Sequence, residues 1–187
     1  MLFRSQPRAL LAADPARARA FRERLARPGA RVAGMSWRSF QPAVRGHLQR
    51  KKSAPLAAFM ALSRRADLSL PDLQYGDTAE ERGRFAQAGG RLERLDDLDL
   101  FNDIDGVLAA IEACDLVVTT SNVTAHFAGA LGKRTLLVYL RANQPFHYWT
   151  PDENGHSLWY PSVEIVTGRD LDTWDKAFGR IDELLRA

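Results

Sequence analysis

Between Thr119 and His126 the chain reads "TTSNVTAH", placing three threonines, a serine, an asparagine and a histidine within one short polar turn. The apolar run "DLVV" leads in and "FAGALG" leads out. A helix beginning near Asn122 or Val123 presents backbone N–H groups that lack helical partners, and with them the positive end of the helix dipole. Ser121, Asn122 and Thr124 would add side-chain donors to those amides. The small residues Ala125, Ala128, Gly129 and Ala130 would let such a helix lie close to a sheet. A phosphate or diphosphate is the natural occupant of that arrangement. Ser121 or Asn122 would equally serve as a plain N-cap, worth about 1 kcal/mol with no ligand at all. Residue types alone leave both readings open. His126, one turn in, is either a packed, hydrogen-bonded histidine or a donor to a phosphate oxygen.

The remainder of the chain must position that turn. At 187 residues it suits one domain with a full core. Its 45% hydrophobic and 26% charged content is an ordinary globular balance and excludes a disordered class. A net charge of +3 is compatible with an anionic ligand and too weak to imply nucleic acid. Arginines in stretches such as "ARARAFRERLARPGARV" read as solvated helix faces. The single cysteine, Cys114, rules out an internal disulfide or a cysteine zinc site and reads as a small core residue. No apolar run approaches the roughly 20 residues of a membrane span. The arginine-bearing N-terminus has no continuous apolar stretch of a signal peptide, so a cytoplasmic location is the default.

Strand and helix signals alternate. Asp14 and Pro15 predict a helix start, and Pro28-Gly29 its stop. "ARVAGMSW" (Ala30 to Trp37) reads as a buried strand, the basic stretch Arg38 to Ser53 as a loop, and "APLAAFMALSRRAD" as an amphipathic helix. "DLSLPDLQYGD" predicts a second strand weakened by Pro71. Thr78 with Glu81 predicts a capping box on a helix that ends at Gly89-Gly90. "RLERL" reads as a thin third strand, "DIDGVLAAIEAC" as a helix, "DLVVTT" as a strand and "VTAHFAGALG" as a helix closed by Gly132. "RTLLVYL" and "VEIV" are further strands before a closing amphipathic helix, "DLDTWDKAFGRIDELLRA". Apolar strands alternating with helices specify a parallel sheet covered on both faces, a Rossmann-like, doubly wound α/β fold. Ligands in such folds bind at the carboxyl ends of the strands where strand order reverses. The loops "WRSFQ", "QYGD" and "TTSNVTAH" should therefore share one edge. No Gly-x-Gly-x-x-Gly turn follows the first strand, which disfavours a dinucleotide enzyme.

The stretch from Asp115 to Leu140 resembles the donor-binding motif of bacterial two-lobed (GT-B) glycosyltransferases related to the lipopolysaccharide heptosyltransferases. It is more similar to the glycosyltransferase domain at the C-terminus of many bacterial tetratricopeptide-repeat proteins. Ser121, Asn122, Thr124, His126 and the run Ala128 to Lys133 match that motif in order. "VAGMSWRS", "DLQYGD", "DLDLFNDIDGVLAAIEACD" and "HSLWYPSVEIV" resemble further blocks of the same family, so the likeness extends roughly from Arg31 to Val166. Leu158 stands where the family usually has proline, and the heptosyltransferase branch has aspartate where Ser121 stands.

The resemblance implies the C-terminal, donor-binding lobe of a GT-B fold. Residues 1–29 would form an N-terminal helical connection and residues 30–187 the nucleotide-sugar-binding lobe. Ser121, Asn122, Val123, Thr124 and His126, facing Ser36, Arg38 and Ser39, would hold the donor diphosphate, and Gln74, Tyr75 and Gly76 the nucleoside end. Lys51 or Lys52 is either a loop lysine of that site or part of a solvated basic turn. The nucleotide sugar is a substrate; no cofactor and no metal are expected, because helix dipole and basic side chains neutralise the leaving group. The expected partners are an acceptor lobe or partner chain and a protein or glycan acceptor, with no nucleic acid. The base would come from the N-terminal lobe; Asp77, Asp103 and Asp105 read as caps or surface carboxylates. The expected activity is hexosyl or heptosyl transfer, absent when the acceptor lobe is lacking. The alternative is a non-catalytic nucleotide- or phosphate-binding module acting as a regulator or scaffold. Trp37 and most aromatics of "NQPFHYWTPDENGH" read as packing residues. Trp159-Tyr160-Pro161 reads either as a core cap or as a segment returning to the cleft.

Overall fold

A computed structural model describes residues 9–39, 53–140, 142 and 147–186. Lys51, Lys52 and most of the predicted basic loop lie outside them. Among the described residues five parallel strands form one sheet: β1 (Arg31–Ser36), β2 (Leu68–Ser69), β3 (Leu116–Thr119), β4 (Thr135–Val138) and β5 (Val163–Val166). Their spatial order is β2-β1-β3-β4-β5. Each of β3 and β4 is buried at every position, as a strand covered on both faces must be.

The helices are α1 (Pro15–Leu25), α2 (Met60–Ser63), α3 (Ala79–Gln87), α4 (Ile104–Glu112), α5 (Val123–Ala130) and α6 (Trp174–Leu184). One face of the sheet carries Ala33, Met35, Leu116 and Leu136 against Phe59, Leu62, Phe85, Phe178 and Ile181. The other carries Val32 and Val117 against Phe21 and Leu25 of α1, Val107 to Ile111 of α4 and Ala128 of α5. The expected Rossmann-like, doubly wound parallel sheet is present.

Local chemistry accounts for most of the element ends. Asp14 Oδ1 accepts from Ala16 N and Arg17 N, both at 2.8 Å, with Pro15 beginning the helix as predicted. Asp103 caps α4 by accepting from Gly106 N at 2.9 Å. Gly132, at φ 73°, closes α5, and Lys133 N reaches back to Ala128 O at 2.9 Å. Cys114 is buried, and burial pushes its thiol up to about 12, so it packs as an inert small residue.

Three expectations need correction. Thr78 makes no capping bond; its hydroxyl accepts from Arg82 Nη1 at 2.7 Å, while Asp77 Oδ1 takes the helix-start amide of Ala79. The aspartate one residue earlier outcompetes the predicted box. The "RLERL" strand shrinks to a single bridge from Glu93 to Pro71, and β2 itself to two residues, because Pro71 has no N–H to donate towards β1 beyond Ser69. The predicted helix in "APLAAFMALSRRAD" is a 3-10 turn, Leu56–Phe59, running into the single turn of α2.

Helix α1, the expected N-terminal connection, packs on α4 through Ala18, Phe21 and Leu25. Arg17, Arg22, Arg24 and Arg27 pair with Asp103, Asp115, Asp97 and Glu93 along its flanks. These side chains are roughly half exposed, so solvent screens each pair and the fold gains little from them.

Candidate functional site

Strand order reverses at β1. The chain leaves β1 for β2 on one side and then crosses to β3 on the other, so the crevice between the carboxyl ends of β1 and β3 is where a ligand belongs. The register pairs Ser36 with Thr119 at that point. Just beyond these two residues, all three predicted polar loops meet.

Gln74 is the knot. Its Oε1 accepts from Ser36 Oγ at 3.0 Å, Trp37 N at 2.9 Å and Arg38 N at 2.8 Å, while its Nε2 donates to Tyr75 O at 2.9 Å. Asn122 ties in the third loop: its Nδ2 donates to Ser36 Oγ at 2.9 Å and to Arg38 O at 3.4 Å. Asn122 Oδ1 also accepts from Ala125 N at 3.3 Å and is the N-cap of α5. Ser36, Gln74 and Asn122 are all buried, so this network is fully desolvated and costly to break.

The first turn of α5 carries the predicted anion residues. Val123 N and Thr124 N have no hydrogen-bond partner among the described residues, while Ala125 N is capped. The Thr124 side chain is buried, and Val123 is 41% exposed. Thr120, within the same turn, has a buried hydroxyl with no partner among the described residues. Ser121 is engaged from outside the turn: its Oγ accepts from Trp149 Nε1 at 3.1 Å. Asn122 is thus a cap, and its amide also staples the strand ends together.

His126 lies in an aromatic box. Its ring stacks on Trp149 at 4.5 Å and 28°, meets the edge of Tyr160 at 5.9 Å, and has Tyr148 tilted at 5.5 Å. Nδ1 lies 3.4 Å from Tyr160 Oη. Trp149 is fully buried. It packs as expected for the aromatics of its segment, and it touches both Ser121 and His126. Burial raises the Tyr160 phenol above its ordinary range.

The arginine and nucleoside-side residues are placed as follows. The Arg38 guanidinium pairs with Glu81 Oε2 at 3.0 Å and reaches the Asp77 carbonyl, so its fork is held by an acid on α3. Ser39 is buried next to it. Trp37 is buried and donates to the same Glu81 at 3.3 Å, a structural role as expected. Gln74, Tyr75 and Gly76 line a cavity of about 260 Å³ with Arg82, Leu98 and Phe101. The Tyr75 and Phe101 rings stand 6.3 Å apart.

Asp72, which the sequence reading passed over, also lines that cavity. It is 3% exposed, and burial pushes its carboxyl above the usual range against the opposing pull of Gln74 N and Arg82. The clue available in the sequence was a carboxylate in an otherwise apolar strand signal, "LSLPDL". Glu81, read only as a capping-box partner, holds Arg38 and Trp37 instead.

Among solved structures, this parallel sheet matches the Rossmann-like lobe of heptosyltransferases. E. coli ADP-heptose lps heptosyltransferase II superposes with a TM-score of 0.59 at 14% identity, covering 94% of this chain and 53% of that one. E. coli heptosyltransferase WaaC with ADP gives a TM-score of 0.50 at 15% identity, covering 89% and 48%. By sequence, the chain is 29% identical over 182 residues to Protein FlbA of Caulobacter vibrioides, across 95% of this chain and 29% of that protein. The chain therefore spans under a third of that relative and about half of each transferase. No protein-family model matches it. At these identities the likeness to solved structures establishes the fold. Among the described residues, no helix is long and apolar enough to cross a membrane.

Proposed function

We propose that the chain is the donor-binding lobe of a two-lobed glycosyltransferase and that its ligand is a nucleotide-diphosphate sugar. The diphosphate sits at the start of α5 between Ser121 and His126, and the nucleoside end occupies the cavity beside Gln74, Tyr75 and Gly76. One observation carries this reading: Gln74, Ser36 and Asn122 bind three strand-end loops together at the sheet's switch point, next to the two helix-start amides. The buried, unpartnered Thr120 hydroxyl beside those amides supports it, since buried polar groups ordinarily find partners.

In the proposed reaction an acceptor hydroxyl, on a protein or a glycan, forms a bond to the anomeric carbon as the bond from that carbon to the diphosphate oxygen breaks. The acceptor proton goes to a base on the other lobe. Negative charge builds on the departing diphosphate, where the amides of Val123 and Thr124, the dipole of α5 and His126 stabilise it without a metal.

The test is a thermal-shift screen of nucleoside diphosphates and their sugars. At least one should raise Tm of the wild type, and His126→Ala should remove the response. A panel without any stabilising ligand, or a His126→Ala variant that responds like the wild type, would overturn the site. Supplying an N-terminal lobe separates the rival: nucleotide binding with no sugar transfer would leave a non-catalytic binding module acting as regulator or scaffold.

A further inference from the structure

Tyr160 and His126 come together by a specific fit. His126 and Gly129 are three residues apart on α5 and so share one face of the helix. Over Gly129 there is room for nothing but the tyrosine: a Cβ there would lie 2.5 Å from Tyr160 Cγ and 2.8 Å from its Cβ. The Tyr160 side chain thus packs directly over Gly129, with its hydroxyl 3.4 Å from Nδ1 of the imidazole. Its backbone is fixed independently. Tyr160 N donates to Ser157 Oγ at 3.3 Å, and Tyr160 O accepts from Val163 N at the start of β5 at 2.8 Å.

The imidazole cannot turn away from that hydroxyl easily. Trp149 stacks on one of its faces and is itself held by the bond from Nε1 to Ser121 Oγ, and Tyr148 closes another side. The groups packed on His126 from the 147–160 segment are Tyr148, Trp149 and Tyr160. A neutral imidazole has one donor and one acceptor nitrogen, and the partner of one nitrogen decides which is which. A phenol, far more acidic than a neutral imidazole N–H, is the natural donor of such a pair.

We propose that Tyr160 is a positioning residue whose phenol donates to Nδ1 of His126 and so keeps the imidazole proton on Nε2. His126 is then preset as a hydrogen-bond donor through Nε2. The use of that donor for a diphosphate rests on the function proposed above, whereas the placement of the proton does not.

The experiment is a long-range ¹H–¹⁵N correlation spectrum of the full 187-residue chain labelled with [¹⁵N]histidine. It is recorded near pH 8, where an ordinary imidazole is neutral. His126→Gln picks its signals out from the other three histidines. His126 is expected as the Nε2–H tautomer in the wild type. In Tyr160→Phe, which keeps the ring on Gly129, the population should move towards Nδ1–H. Calorimetry with ADP and UDP should show binding weakened roughly three- to tenfold in that variant, the scale of one lost hydrogen bond.

A wild-type His126 protonated on Nδ1 overturns the inference without recourse to any variant. So does a Tyr160→Phe spectrum with the wild-type tautomer ratio. If the ratio shifts but neither ADP nor UDP binds the wild type, the inference holds and the proposed function loses its support. If both nucleotides bind and the ratio does not move, the function holds and Tyr160 is only a packing residue.

Discussion

Asn122 offers the sharpest separation of the two readings that the sequence left open, helix cap or ligand site. The side chain does two jobs: Oδ1 caps Ala125 N, and Nδ2 joins Ser36 and the Arg38 carbonyl. Asn122→Asp keeps an excellent capping oxygen, loses the Nδ2 donor and adds a negative charge. Losing the donor costs about 1 kcal/mol. The carboxylate at a helix N-terminus recovers about 0.3–1 kcal/mol. Because Asn122 is buried in a desolvated network and faces the Arg38 carbonyl, the added charge carries a desolvation cost beyond that recovery, so Asn122→Asp should be clearly less stable than the wild type. A bound diphosphate would feel the new charge strongly. At a separation of about 5 Å and an effective dielectric of about 20, one charge opposes another by about 3 kcal/mol, close to a hundredfold in affinity. Asn122→Ala is the reference: without cap or donor it should lose about 2 kcal/mol, or about 4–8 °C in Tm. Differential scanning fluorimetry with and without ADP, UDP and their sugars reads both quantities at once. An Asn122→Asp protein that folds and still shows the wild-type ligand response would refute the placement of the anion at α5. An Asn122→Ala protein with wild-type Tm would refute the claim that this amide holds the loops together.

Gln74→Ala removes one acceptor shared by three donors, leaving Ser36 Oγ, Trp37 N and Arg38 N short of partners in a buried setting. Denaturant titration should show a loss of about 2–4 kcal/mol, and a change under 1 kcal/mol would mean water replaces it freely. Gly129→Ala drives a methyl into the Tyr160 ring and should cost about 1–3 kcal/mol, while Gly83→Ala, which meets open space, should not destabilise. Asp72 carries a folded-state pKa raised by burial. Its contribution is fully present below the unfolded value of 3.8 and is lost as pH rises through the folded one. Asp72→Asn should therefore gain stability relative to the wild type from acid towards neutral pH. A stability difference independent of pH between pH 4 and 8 would contradict this.

Much of the fold was legible in order along the chain because its determinants are local. Asp14-Pro15, Asp103 and Gly132 mark helix ends through short-range hydrogen bonds or φ preference, and the apolar runs of β1, β3, β4 and β5 declare burial on both faces. The misreadings fall where two local signals compete: Asp77 against Thr78 for a helix start, and Pro71 against its apolar neighbours for a strand. The polar turn announced an anion site or a cap by residue type, and the strand-end loops announced a common edge.

Which atoms of that turn remain for a ligand was a tertiary matter. Asn122 is tied to Ser36, 86 positions away, Ser121 to Trp149 and His126 to Tyr160, while Arg38 is held by Glu81. No periodicity or motif encodes such pairs, since each depends on where separate segments arrive once the sheet is assembled. Residue types along the chain determined that a polar, dipole-bearing helix start would exist. Long-range packing decided which of its side chains are already bonded within the protein, because a buried polar group takes whatever partner the fold delivers to it.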